Sequence, residues 1–144
     1  MHQQIFLNFA VKDLARSMAF FEALGYHFNR EFTNDSGACL VLGERLHAML
    51  LTEPFFQSFT DKAIADPRRA VEVLTCLSCD SREAVDALVA KAQAAGATLP
   101  RPPQDHGFMY SHAYEDLDGH VWELVFMDPA AAAAAAGGAT SAAG

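Results

Sequence analysis

The stretches Phe9-Ala10-Val11-Lys12-Asp13-Leu14, closing at Leu24-Gly25, and Ser78-Cys79-Asp80-Ser81-Arg82-Glu83, closing at Gly96, carry one pattern twice. Before Asp13, Ile5, Leu7, Phe9 and Val11 alternate with Phe6, Asn8 and Ala10, the period-two signature of a strand with two largely apolar faces. Asp13 is placed to cap a helix in which Leu14, Met18 and Phe21, with Phe20 and Leu24, form an apolar stripe, and Gly25 supplies the stop. In the second stretch a strand over 71–79 leads into Asp80-Ser81-Arg82-Glu83, a capping spacing from which Glu83 can reach back to the first backbone donors. Ala84, Val85, Leu88, Val89, Ala92 and Ala95 make the matching stripe, and Gly96 is the matching stop. Two copies of one unit bury a face that neither covers alone.

The rest of each copy reads as strands. Residues 26–33 form a second strand, Asn34-Asp35-Ser36-Gly37 a turn, 38–42 a third strand, Gly43-Glu44 a turn and 46–52 a fourth strand. In the second copy Ala97 to Leu99 begins a strand, which Pro100-Arg101-Pro102-Pro103 interrupts because proline removes ladder donors. Residues 104–107 are then a loop, and 108–114 and 120–126 are strands joined by Glu115-Asp116-Leu117-Asp118-Gly119. The expectation is one α+β domain over residues 1–129: module one at about 4–52, a connection over 53–69, and module two at about 70–129. Phe55, Phe56 and Phe59 in the connection have helical spacing and read as a short helix packed on its own core. After Asp128-Pro129 the chain is nearly all Ala and Gly, and a short Ala run is marginal in water, so 130–144 is expected as a flexible tail.

Composition narrows the partners. The chain has 144 residues, enough for one domain, with 51% hydrophobic and 19% charged residues, a globular balance. A formal net charge of −8, with Arg68-Arg69 the only adjacent basic pair, argues against nucleic acid, whose phosphates need clustered Lys and Arg. No apolar run is long enough for a membrane span, and the start lacks the basic-then-apolar order of a signal peptide, so a cytoplasmic protein is expected. The three cysteines are an odd number. Cys76 and Cys79 form C-x-x-C, but three positions apart on a strand they point to opposite faces, and the thiols read as free and buried.

One residue stands out chemically. Glu123 sits between Val121 and Val125 on one face of the last strand, and Trp122, Leu124 and Phe126 occupy the other. A carboxylate among apolar groups must be paired, hydrated or protonated, so Glu123 reads as a pocket acid or base. Its neighbours depend on the hairpin before it. With a three-residue loop bulged at Gly119, Ala113 lies opposite and Ser111 and Met109 share the face; with a tight Asp118-Gly119 turn, Tyr114, His112 and Tyr110 do. The six histidines show no close ligand spacing such as H-x-x-x-H. His106, in a loop, and His112, on a strand, are the two placed to reach a pocket.

Val11-Lys12-Asp13-Leu14 with Ser17, Phe20-Phe21 and Leu24-Gly25, followed by Asp116-Leu117-Asp118-Gly119-His120-Val121-Trp122-Glu123-Leu124, resembles the vicinal oxygen chelate family. That family contains glyoxalase I, bleomycin- and fosfomycin-resistance proteins and extradiol dioxygenases. The tract from Pro102 to Tyr110 is similar to its lactoylglutathione-lyase-like bacterial branch. The resemblance implies two βαβββ modules forming a curved mixed sheet around a central cavity, with helices outside, and a likeness to proteins that dimerise. It also implies a divalent ion held at four inward positions, which fall here on Phe6, near Leu50, near Leu74 and on Glu123. Only Glu123 is a ligand-type residue, and a catalytic ion wants three or more N or O donors.

The expected protein therefore binds a small, partly hydrophobic molecule in a cavity lined by Phe6, Asn8, Leu50, Cys76, Ser111 and Glu123, with His106 and His112 within reach and no cofactor. The alternative is a metal-dependent lyase or isomerase of the glyoxalase I type, using Ni, Zn, Mn or Fe with Glu123 as ligand or base. Ala113 stands where extradiol enzymes commonly carry a catalytic Tyr, so that reaction is not expected. A homodimer with no nucleic-acid or membrane partner completes the expectation.

Overall fold

The computed structural model describes residues 1–131, 133 and 134. The chain divides into two compact units, Met1–Ala70 and the residues from Val71 onward. Each runs strand, helix, strand, strand, strand, an α+β arrangement of two βαβββ modules.

The first unit contains β1 (Ile5–Val11), α1 (Leu14–Ala23), β2 (His27–Asn29), β3 (Gly37–Gly43) and β4 (Leu46–Thr52), in the sheet order β1-β4-β3-β2. β1 runs parallel to β4, and the other pairs are antiparallel. The Asp13 carboxylate accepts the Arg16 N–H at 3.0 Å and so starts α1. Gly25 and, in the second unit, Gly96 stop their helices at φ +102° and +110°, a conformation that residues with a Cβ avoid. Strand alternation sends Val11, Phe28, Ala38, Leu40, Ala48 and Leu50 to one face, where they are buried with Leu14, Phe20 and Phe21 of α1.

Two expectations for this unit change. The strand expected over 26–33 ends at Asn29. The Asn29 side-chain oxygen accepts the Glu31 N–H, and the Thr33 hydroxyl donates to the Asn29 carbonyl, wrapping Arg30–Phe32 into a turn of 3-10 helix. In the connection, α2 (Glu53–Gln57) forms, and Phe55 and Phe59 meet edge to face at 5.0 Å. Phe59 is nevertheless 70% exposed and no α2 residue is buried, because one and a half turns cannot present a continuous buried stripe.

The second unit contains β5 (Thr75–Ser78), α3 (Arg82–Ala94), β6 (Gln104–Asp105), β7 (Met109–Glu115) and β8 (Val121–Met127), ordered β5-β8-β7-β6. β5 begins at Thr75 rather than at 71. Thr75 already stands opposite Trp122, so residues before Leu74 have no β8 residue beside them. Ser81 rather than Asp80 caps α3, its hydroxyl accepting the Ala84 N–H at 3.0 Å, which leaves Glu83 one position short of a capping box. Gln104 and Asp105, expected as loop, form a short strand on β7, and the strand begun at Ala97 is a single bridge from Thr98 to Glu115. Past β8, residues 129–131, 133 and 134 are helical, with the Asp128 carboxylate accepting from Ala130 and Ala131. The expectation of a flexible tail over 130–144 falls for the most part on residues outside the described ones. No helix among the described residues is long and apolar enough to cross a membrane.

The β7–β8 turn is organised by Asp116. One carboxylate oxygen accepts the N–H groups of Asp118, Gly119 and His120 at 3.0, 3.1 and 3.0 Å, and the other accepts the indole N–H of fully buried Trp122 at 3.0 Å. Burial pushes this carboxyl above the usual Asp range, while His120, the indole and the backbone donors pull against it. A second tie joins the β6–β7 hairpin to α3. Arg82 donates to both Asp105 oxygens at 2.6 and 3.1 Å and to the Gly107 carbonyl at 3.1 Å, and lies 5.1 Å over the Tyr110 ring. The Tyr110 hydroxyl in turn donates to Asp86 of α3 at 2.5 Å.

Replacing Asp116 by Ala strands the buried indole donor and the N–H groups of Asp118 and His120, while the Gly119 N–H keeps the Asp116 carbonyl, and is expected to cost on the order of 3 kcal/mol in urea unfolding followed by near-UV circular dichroism of Trp122; Asp116→Asn is expected to cost less. The Arg82 hydrogen bond, followed by the Gly107 N–H, holds the Asp105 carboxyl below its usual value. The native state therefore binds its proton later than the unfolded chain does. That contribution is present above about pH 4 and is lost as pH falls below it. Asp105→Asn is expected to flatten the fall of the urea midpoint between pH 5 and pH 3, as checked by denaturation at stepped pH.

Candidate functional site

Alternation along β8 separates two kinds of surface. Trp122, Leu124 and Phe126 face the α3 side with their partners Tyr114, His112 and Tyr110 on β7. Glu123 faces the other way, directly between Cys76 of β5 and Ala113 of β7, with Val125 and its partner Ser111 next along. The bulged-loop register is the one adopted, since Asp116 gathers the N–H groups of the turn and Ala113 pairs with Glu123.

Arg101 completes this cluster. Its guanidinium donates to the Ser111 hydroxyl and to a Glu123 carboxylate oxygen, each at 3.5 Å, and to the Pro102 carbonyl at 3.3 Å. The Arg101 and Glu123 side chains are 24% and 26% exposed, so the pair is neither free in water nor sealed. Charge-assisted hydrogen bonds shorten to about 2.7–2.9 Å when optimal, so contacts of this length leave both groups able to take a better partner. Burial, and then the Glu123 charge, push the Cys76 thiol up while Arg101 opposes them, so Cys76 offers a neutral S–H at ordinary pH.

Of the residues singled out from the sequence, Glu123, Ser111 and Cys76 come together here. Arg101 was missed as a site residue. The signal was available: it is the last Lys or Arg in the sequence and stands among three prolines, which limit the conformations of the segment that carries it. His112 is not part of the group. It lies on the α3 side with both ring nitrogens buried and lacking a hydrogen-bond partner, because the register that puts Ala113 opposite Glu123 turns His112 away. His106 is exposed in the β6–β7 hairpin, where its N–H donates to the Met109 carbonyl and its ring acts on Asp105.

In the first unit Phe6 and Asn8 do share the face away from α1, with Phe6 50% exposed and stacked on His47 at 4.8 Å. Leu50 does not join them. It pairs with Phe9, points to the α1 side and is fully buried; a count that slips by one residue exchanges the faces. Leu74 precedes β5 and is 53% exposed, so it presents nothing from a strand face. Of the four positions that the resemblance assigns to a divalent ion, then, one is phenyl, two are displaced leucines, and the fourth is a carboxylate already facing a guanidinium. That donor set does not fit a divalent cation, and among the described residues no three of His, Cys, Asp and Glu gather closely enough to hold one. Cys39 is buried, Cys79 half-buried and Cys76 exposed, so of the three thiols expected in the core only Cys39 is there; Cys76 sits on an edge strand, on the side away from α3.

Comparison with known proteins agrees with this construction. A family model described as the Glyoxalase/Bleomycin resistance protein/Dioxygenase superfamily matches residues 4–124. Among solved structures, a hypothetical protein from S. aureus is 28% identical with a TM-score of 0.76, covering 88% of this chain and 95% of that one. A bleomycin resistance determinant encoded on a transposon is 20% identical, with a TM-score of 0.63 over 88% of this chain and 99% of that one. The fosfomycin resistance protein FosX of Mesorhizobium loti is 16% identical, with a TM-score of 0.65 over 88% and 92%. At those identities the last two establish a shared fold only. No curated protein matches the chain. Two βαβββ units and a family match that runs from the first strand into the last come to one conclusion: this chain belongs to the glyoxalase/bleomycin resistance protein/dioxygenase superfamily.

Proposed function

We propose that the second unit binds a small, partly hydrophobic molecule on the face of its sheet away from α3, using Glu123 and Arg101 as a polar recognition pair without a divalent ion between them. The observation that supports this most is the Arg101 guanidinium spanning Ser111 and Glu123 at 3.5 Å each. Such a pair presents an anion that accepts a donor and a cation that seeks an acceptor. Val121, Val125 and Ala113 surround it with hydrocarbon. A ligand matching that pattern has an apolar body, an N–H or O–H for Glu123 and an oxygen for Arg101. Ser111 and Cys76 add a hydroxyl and a neutral thiol as lesser partners.

Binding that withdraws a compound from solution suits this chemistry better than turnover. One Glu123 carboxylate oxygen already faces the Arg101 guanidinium at 3.5 Å, and that positive charge disfavours a second cation there. The bleomycin and fosfomycin resistance proteins of the same fold make such a role reasonable by analogy, and fold alone carries no more than that. The competing reading, a glyoxalase I type lyase or isomerase, draws on Glu123 and Cys76 standing side by side as two donors. A homodimer is part of the proposal from family resemblance, and light scattering of the purified chain tests it.

A thermal-shift screen of amphipathic compounds, bleomycin and fosfomycin included, supplies a probe ligand, and isothermal titration then compares variants. Glu123→Gln and Arg101→Met are each expected to weaken the probe by about 10- to 100-fold, the worth of one charge-assisted hydrogen bond. Unchanged affinity in both overturns the assignment. A parallel assay of hemithioacetal isomerisation with added Ni, Zn, Mn or Fe is expected to show no turnover; activity that disappears in Glu123→Gln establishes the competing reading instead.

A further inference from the structure

The first unit holds a separate group of donors on the face of its sheet away from α1. Register places Cys39 of β3 directly opposite Met49 of β4, and Val41 opposite His47, so Cys39, His47 and Met49 share that face. The Cys39 sulfur lies 4.0 Å from the His47 Nδ1. The Phe6 ring, stacked on the imidazole at 4.8 Å and 14° between planes, fixes its orientation. From this geometry we infer that Cys39, His47 and Met49 form a binding site for one monovalent soft metal ion of the cuprous class.

Three arguments support the assignment. The first is donor type: thiolate, thioether and imidazole are the set that selects Cu(I) over the hard ions that prefer carboxylate and water. The second is spacing. With metal bonds of about 2.3 Å to sulfur and 2.0 Å to nitrogen, a separation of 4.0 Å is spanned at roughly 140°, wider than the tetrahedral angle and suited to an ion of two or three ligands. Met49, across the ladder from Cys39, is placed to supply the third. The third argument is charge. Cys39 is 2% exposed, and a thiolate with a monovalent ion is neutral there, whereas a divalent ion leaves an unpaired positive charge in a desolvated place.

On binding, the Cys39 S–H bond breaks and its proton passes to solvent as the sulfur–metal bond forms. His47 donates the Nδ1 lone pair of its neutral form, with the ring proton on Nε2, and Met49 donates through its thioether. No electron is transferred. A simple S–H···N contact explains the Cys39–His47 pair, and alternation along β4 puts Met49 on the same face, so the Met49→Leu comparison decides whether its thioether is a ligand.

The test uses the 144-residue chain carrying Cys76→Ser and Cys79→Ser, which removes the other two thiols. Cu(I), kept reduced under ascorbate without oxygen, is titrated against a chromophoric Cu(I) chelator, and Ag(I) stoichiometry is read by native mass spectrometry. One ion per chain is expected to be retained. Cys39→Ser in that background is expected to lower affinity about 100-fold and His47→Gln or Met49→Leu about 10-fold, the scale on which single ligands of a soft site count. Met49→Leu conserves volume and keeps the test meaningful if the serine variant folds poorly. Failure to hold Cu(I) against the chelator, retention unaffected by both Cys39→Ser and Met49→Leu, or tighter binding of Zn(II) than of Cu(I) overturns the proposal.

Discussion

A single carboxylate holds the second unit in register. Asp116 takes three backbone N–H groups of the β7–β8 turn and the indole N–H of Trp122, and burying an acid there without those donors would cost several kcal/mol. Because the turn is drawn in on Asp116, Ala113 stands opposite Glu123, and all of β8 is assigned its faces together. Trp122, Leu124 and Phe126 go to the α3 side; Glu123 goes to the other. A tighter turn would shift the ladder by one residue and exchange the two sets, which is why the chemistry of Glu123 depends on an interaction several residues away.

That placement explains the particular form of the polar pair. Glu123 emerges beside Cys76 and over Ala113, where small and apolar neighbours leave its carboxylate without a local partner on its own sheet. The partner comes from the proline-flanked segment before β6, whose Arg101 reaches Ser111 and Glu123 together. The same segment is tied at its far end by Arg82 to Asp105 and Gly107, so the hairpin that follows Arg101 is anchored to α3. A charged pair presented by an anchored loop over a rigid sheet keeps its geometry while its contacts stay long enough to be exchanged.

The two units share one construction and differ in what they present from it. In the first, the face away from the helix carries an aromatic, an amide and a group of sulfur and imidazole donors; in the second, the equivalent face carries a carboxylate, a hydroxyl, a thiol and a guanidinium. Of the four positions that the resemblance assigns to a divalent ion, Glu123 alone carries a ligand-type side chain. Duplication preserves the scaffold because its requirements are caps, glycine stops and apolar alternation. The faces away from the helices carry the side chains in which the two units differ, and function is argued from those rather than from the fold.

Local chemistry was enough to read the repeat, α1 and α3, the start of α1 and both glycine stops, since Asp13, Gly25 and Gly96 act on residues within one helical turn; the cap of α3 fell one residue later than expected, on Ser81. The strands of the last hairpin were legible for the same reason. Which residues share a face was not, wherever it depended on pairing. Leu50 and His112 turned to the helix side because β1–β4 and β7–β8 register, a contact between distant residues, decides orientation with a period of two. The length of β5 was set by where β8 begins, and the end of β2 by hydrogen bonds around Asn29. Arg101 acquired its role only when folding carried it across to Ser111 and Glu123, 10 and 22 residues along the chain. Composition and periodicity determine what a segment prefers to be; only the folded chain decides which atoms it meets.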